Sequence, residues 1–374
     1  MRKISSDALQ PGWKVGRPIY DSEGRILLNV GVILTNRYIK RLKRLGIPAV
    51  YIDEGLLPDV QIDDVICEQT RLQAIKQVKE IYSEYSQRPD FQPRAIIKKA
   101  GVVSVINKII DELLANRSLL VNLVDIRSFD EYTFGHSVNV CVLAALTGIT
   151  MEFSRVKLFH LGMAALLHDI GKTFVPENIL NKPGPLTEEE FEVVKKHSLH
   201  GYQVLSIDPS VSKVCAVVAV QHHERYNGQG YPYGLEKNGI HEFSRITGMV
   251  DMYDAITADR IYRKAYPPNE AYEMLAGSGD FLFDFNVVQA FLQNIAAYPI
   301  GTIVRLSTGE VGIVVETIKG FPLHPRVRIL FSAQGEPVFG EVEIGLNEKQ
   351  NITISSVIED FDNPGFSRRQ NQGT

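Results

Sequence analysis

The chain has 374 residues, a length that suits about two or three domains. Hydrophobic residues make up 44% of it, enough for a sizeable core. With 40 Lys and Arg against 44 Asp and Glu, the formal net charge is −4. That leaves no basic footprint for a long nucleic acid, so an anionic ligand would need local positive partners: metal ions or a few Arg and Lys.

Residues 1–13 lack the apolar core of a signal peptide, and the purest apolar run, residues 214–220, is too short to span a bilayer. Three cysteines, Cys67, Cys141 and Cys215, are an odd and scattered set. They argue against a disulfide framework and for a reducing compartment, so a soluble, cytoplasmic protein is expected. Cys141 and Cys215 lie in Ala/Val-rich stretches and read as small buried hydrophobes.

Residues 1–60 read as a small β-rich domain. Pro11-Gly12, Asp21-Ser22-Glu23-Gly24 and Asn29-Val30-Gly31 punctuate short apolar strands. One short helix, residues 36–45, precedes a last strand at 49–52. Residues 61–117 turn helical and read as a connector. Leu72, Ile75, Val78 and Ile81 fall at helical steps over residues 63–87. A break at 88–93 leads to a second helix, residues 94–116, with Ile106, Ile109, Ile110 and Leu113 on one face. Residues 118–297 read as nearly all helix, and Thr187 with Glu190 forms a capping-box start. From 298 to 360 strands return, with turns at Gly309, Gly320 and Gly335. Residues 361–374 are too poor in apolar groups to pack, so a disordered tail is expected. The fold class is mainly α: an all-helical domain flanked by small β-rich modules.

The helical stretch holds an unusual set of imidazoles and carboxylates. His136 sits with Val140 and Leu143 on one predicted helix, and His168-Asp169 end another. His197 is placed on the helix begun by Thr187. His222-His223 close an apolar helix, and Asp251 and Asp254 share a face one turn apart. A lone His-Asp pair is more often a structural hydrogen bond than a ligand pair. Here each predicted helix offers such a group from its apolar side or end, and burying them all without a cation is costly. Imidazole and carboxylate without cysteine suit a hydrolytic centre for two divalent metals. Neighbours on a helix diverge by about 100°, so His222 and His223 are expected to flank two different ions, or one of them to support the other.

The motifs carry a resemblance. They are His168-Asp169-Ile170-Gly171-Lys172, the run at residues 179–187, His197, His222-His223-Glu224, Gly230-Tyr231-Pro232, and Asp251 through Asp259-Arg260. Over about 120–297 the chain resembles the HD-GYP family of cyclic di-GMP phosphodiesterases, a branch of the HD-superfamily metal-dependent phosphohydrolases. The resemblance implies metal ligation by His136, His168, Asp169, His197, His222, His223 and Asp251, with Asp169 bridging two ions. Iron or manganese suits the mix of imidazole and carboxylate, with zinc, nickel and cobalt as alternatives. It makes Asp169 and Lys172 catalytic, with Lys172 beside the scissile phosphate. Tyr231, Arg260 and Arg263 would hold the ligand. A hydroxide held between the metals would open cyclic di-GMP to linear pGpG, with a further cut to GMP.

Two departures are visible. Tyr132 stands where some members carry a third-metal glutamate, and the neighbouring Glu131 faces away, so two ions are expected. Asn227 replaces a frequent aspartate, a change a turn tolerates. His160, His200, His241 and His324 lie outside the pattern, with His200 the best placed to support a ligand. Residues 181–185 read as either a rigid loop or a substrate-facing one. Two alternatives remain: a non-catalytic cyclic-dinucleotide sensor, and a hydrolase of another cyclic dinucleotide. The flanking β modules carry no ligand residue, and regulation or homodimerisation is the role expected of them.

Overall fold

The structure, a computed structural model, describes residues 1–20, 25–45, 47, 49–53, 55, 57, 60, 64–86, 101–121, 132–258, 265–349 and 351–358. The N-terminal unit holds β1 (Arg2–Ser5), β2 (Lys14–Val15), β3 (Ile19–Tyr20), β4 (Ile26–Leu28), α1 (Asn36–Arg44) and β5 (Ala49–Asp53). Strand β5 is central, antiparallel to β1 and to β2, while β3 and β4 form a hairpin. Thr35 caps α1 by accepting from the Tyr38 amide, and the helix turns Ile39 and Leu42 onto Val15, Val50 and Ile52.

The helical body comprises α2 (Glu68–Ser86), α3 (Val102–Ala115), α4 (Tyr132–Thr150), α5 (Arg155–Leu167), α6 (Glu177–Leu180), α7 (Glu188–Lys195), α8 (His197–Ile207), α9 (Lys213–Gln221), α10 (Glu242–Thr257), α11 (Pro268–Ala276) and α12 (Phe285–Leu292). Helices α4, α5, α9 and α10 are the interior, with Leu143, Leu166, Val218 and Ile246 fully buried. The two connector helices belong to the same core: Ile75, Val78 and Ile81 of α2 and Ile106, Ile109 and Leu113 of α3 are buried in it. Helix α2 begins at Glu68 rather than at 63. One helix stretch, Thr133–Thr150, is long and apolar enough to cross a membrane, but most of it is buried inside the fold. The sequence expectation, which weighed only the shorter run at 214–220, passed over it.

One boundary differs in a way that matters. His197 does not lie on the helix that Thr187 starts. That helix, α7, opens with the expected reciprocal Thr187–Glu190 cap and ends at Lys195. The Lys196 amide bonds back to the Val193 carbonyl, three residues away, and this tightened turn re-aims the chain so that His197 starts α8.

The C-terminal strands are β6 (Ile303–Leu306), β7 (Val311–Glu316), β8 (Arg326–Phe331), β9 (Glu343–Gly345) and β10 (Ile354–Val357). They form one antiparallel sheet in the order β10-β6-β7-β8-β9. Leu57, from the end of the N-terminal unit, is buried with Ile303, Val311 and Ile313 of this sheet. The tail 361–374 lies outside the described residues.

Candidate metal centre

Three helix ends and two helix faces bring the acid and imidazole groups together. His136 projects from α4, and His168 and Asp169 leave the end of α5. His197 opens α8, His222 caps α9, and Asp251 lies on α10. Close backbone packing makes this convergence attainable. A Cβ on Gly171 would lie 1.9 Å from the His197 carbonyl oxygen, and one on Gly248 would lie 2.1 Å from that of His222. Only glycine lets these backbones approach so closely.

The groups fall into two adjacent sets. One is His136, His168 and Asp251; the other is Asp169, His197, His222 and His223. Asp169 faces both. Its Oδ2 lies 3.4 Å from His168 Nε2 and 3.8 Å from His136 Nε2. Its Oδ1 lies 3.3 Å from His197 Nε2 and 3.6 Å from His222 Nε2. Asp251 Oδ1 is 3.0 Å from His136 Nε2 and 3.8 Å from His168 Nε2. The seven residues expected as ligands thus share one pocket. His222 and His223 both fall in the second set. His222 keeps helical backbone angles at the α9 C-cap, yet both Nε2 atoms approach His197 Nε2, at 3.3 and 3.2 Å, while His223 Nδ1 lies 3.9 Å from Asp251 Oδ2.

The far side of each ring fixes its proton. His168, His197 and His222 present Nδ1 to the carbonyls of Ala165, Val194 and Ala219, at 2.7, 2.6 and 2.9 Å. A carbonyl only accepts, so Nδ1 carries the hydrogen and Nε2 keeps a lone pair aimed into the pocket. His136 Nδ1 is held by Asp254 Oδ2 at 2.7 Å. Among the described residues, buried His168 Nε2 and Asp169 Oδ1 have no hydrogen-bond partner. Lone pairs that face one another across about 3 Å, with no donor between them, fit a cation and little else.

The electrostatics follow from burial and neighbours. Burial alone would lower the His136 pKa, but Asp251 and Asp254 outweigh it and lift it to about 9. Burial lowers His222 to about 4, against the pull of Asp169. His223 is held well below its usual value, by burial first and then by His222 and His197. Asp169 stays well below the carboxylate range, because Lys172 and the surrounding imidazoles overcome its burial. The Lys172 ammonium pairs directly with Asp169 Oδ2.

Tyr231 stacks on His223, with ring centroids 4.6 Å apart at 28°. Its hydroxyl pKa is raised, by burial and by the charges of Asp169 and Asp251. Gly230 makes this placement feasible, since a Cβ there would meet the Arg225 nitrogen at 2.3 Å. Asn227 Oδ1 accepts from the Gln229 amide at 3.1 Å, the turn bond expected of it. Lys182, in the loop at 181–185, is tied to Glu190 at 2.6 Å. His200 packs edge-on against Phe174, and His241 Nδ1 caps α10 by accepting from the Phe243 amide. Arg260, Arg263 and Glu131 lie outside the described residues, as does the Tyr132 side chain.

Three supporting residues were not among the expected ligands. Asp254 orients His136. Asn139 donates to Asp254 Oδ1 at 3.0 Å. Buried Glu224 accepts from the Tyr233 and Leu235 amides at 2.8 and 2.9 Å, which fixes the loop after the histidine pair. The Glu224 signal was available in the His222-His223-Glu224 run, while Asn139 carried none.

Residues 113–287 match the HD domain, and residues 303–362 match a KOW domain associated with HD domain. Residues 113–287 thus resemble the HD-domain family. The chain is 39% identical, over 240 residues, to a cyclic di-GMP phosphodiesterase of Pseudomonas aeruginosa, covering 64% of this chain and 58% of that protein. A cyclic di-GMP phosphodiesterase of Thermotoga maritima is 38% identical over 165 residues, 44% of this chain and 45% of the relative. A 3'3'-cGAMP-specific phosphodiesterase of Vibrio cholerae is 36% identical over 170 residues, 44% of this chain and 38% of the relative. The chain therefore spans less than two thirds of each of these relatives.

Proposed function

We propose that this HD domain is a metal-dependent phosphodiesterase that hydrolyses cyclic di-GMP to linear pGpG, with a second cut to GMP. The observation that carries the proposal is the pair of ligand sets on either side of Asp169, with buried His168 Nε2 and Asp169 Oδ1 left without a hydrogen-bond partner between them. His136, His168 and Asp251 would hold one ion, and His197, His222 and His223 the other, with Asp169 between them. Iron or manganese suits this mixture of imidazole and carboxylate. Two bound divalent cations would lower the pKa of a water and neutralise charge on the phosphate oxygens.

The protein's own groups do the rest. Backbone carbonyls keep His168, His197 and His222, and Asp254 keeps His136, in the ligating tautomer. Lys172, held at the pocket by Asp169, would donate to a non-bridging phosphate oxygen. The Tyr231 ring, stacked over His223, offers a flat face for a guanine. Arg260 and Arg263 are proposed to hold the remaining charge of the dinucleotide.

The named activities of the Pseudomonas and Thermotoga relatives support this substrate, and the Vibrio relative motivates a second one, 3'3'-cGAMP. The test is a product assay on anaerobically purified protein loaded with Mn(II) or Fe(II), with both dinucleotides in competition. Cleavage of cyclic di-GMP is expected to dominate, and Asp169→Ala should fall to the background rate. Full activity in that variant would defeat the assignment. Binding without turnover across both metals would favour a sensor.

A further inference from the structure

We propose that Arg71, on α2 and upstream of the residues matched to the HD domain, is a positioning residue for the ion held by His136, His168 and Asp251. The inference rests on the two-ion reading above and assigns part of the centre to a helix outside the matched domain.

Four buried side chains form a single file from α2 to the metal pocket. Arg71 Nη1 donates to Asn139 Oδ1 at 2.8 Å, and Asn139 Nδ2 donates to Asp254 Oδ1 at 3.0 Å. Asp254 Oδ2 accepts from His136 Nδ1 at 2.7 Å. A guanidinium has donors only, so it must meet the oxygen end of the Asn139 amide. The amide's NH2 is thereby turned to Asp254. An ionised carboxylate only accepts, so the hydrogen sits on His136 Nδ1 and Nε2 is left for a cation. Each polarity follows from the one before, and the first cannot reverse. Without Arg71 the amide can turn over and set its oxygen against the Asp254 carboxylate, in a place too buried for water to repair.

The choice of partner supports this role. A buried guanidinium placed for stability alone would fork onto a carboxylate. The Glu68 carboxylate stands 3.8 Å from Arg71 Nε, whereas the close bond goes to a neutral amide two steps from a metal ligand.

The test titrates Mn(II) into metal-stripped, full-length protein. Electron paramagnetic resonance separates a lone ion from an exchange-coupled pair, and thermal melts run alongside. Arg71→Met and Arg71→Gln should weaken the ion of the His136 set by about 10-fold while the other ion holds within about twofold, and Arg71→Lys should restore coupled-pair formation. Arg71→Gln is the sharper variant, because it keeps a hydrogen bond but no longer dictates which end of the amide it meets. Two results overturn the inference: variants that form the coupled pair as the unmodified protein does, or loss of both ions in step with a fall in melting temperature across all three variants. If the unmodified protein takes up fewer than two ions, the two-ion reading falls and this inference falls with it. The two failures are therefore distinguishable.

Discussion

Two histidines that both pack edge-on against His168 are driven in opposite directions by their surroundings. His136, between Asp251 and Asp254, is raised to about 9, and His222, buried among other imidazoles, is lowered to about 4. In the metal-stripped protein these shifts couple to stability with opposite signs. The folded-state value of His222 lies below the ordinary 6.5, so the unfolded chain binds the extra proton and stability is lost as pH falls from 6.5 towards 4. His223 acts in the same sense. The folded-state value of His136 lies above 6.5, so its contribution is complete below 6.5 and is lost as pH rises through about 9. Each limb is worth roughly 3 kcal/mol. The melting temperature of metal-stripped protein should therefore peak near pH 6.5 and fall on both sides; a flat profile between about pH 5 and about pH 9 would contradict this assignment of charges. The residue types of the pocket were legible in the sequence as an excess of His and Asp on apolar helices. Their protonation was not, because it depends on the atom behind each ring, which in three cases is a backbone carbonyl.

At the level of elements, the pocket is assembled by contacts at helix ends. The short 3-10 turn Ile170–Phe174 that follows the His168-Asp169 pair packs against α8 through Gly171, and α10 packs against the end of α9 through Gly248. Gly171→Ala would force a methyl onto the His197 carbonyl and the Gly201 nitrogen, both backbone atoms that cannot rotate aside. We expect it to cost about 3 kcal/mol of stability, read by urea unfolding, and to weaken ion binding, since His197 and Asp169 flank the clash. A variant as stable as the unmodified protein would show that the two segments are not locked. Periodicity located these helices well, and the Thr187–Glu190 cap appeared as written. It could not foresee the break at Lys196, because that is a single tightened turn within an otherwise helical pattern. Nor could it foresee that His222 and His223, neighbours at the end of α9, would both bring Nε2 up to His197.

The molecule as a whole joins segments that composition had separated. The connector helices bury Ile75, Val78, Ile81, Ile106, Ile109 and Leu113 in the same core as α4 and α5. Removing those six side chains would forfeit on the order of 10 kcal/mol of apolar burial, comparable to the whole net stability of a domain. A fragment of residues 118–297 should therefore fail to give a cooperative thermal melt, whereas one beginning at residue 64 should melt cooperatively. A stable, metal-binding 118–297 fragment would show that α2 and α3 are dispensable, Arg71 included. The sequence by itself determined the helical class, the β-rich flanks and the residues able to ligate metal, because hydrophobic period and side-chain chemistry are written locally. Only the tertiary structure decided that His222 and His223 join the same ligand set, and that a helix before the matched domain reaches the pocket through Arg71. Those outcomes depend on which backbones can touch and which polar atoms are left without water, and residues as far apart as 71, 139 and 254 meet only once the core has closed around them.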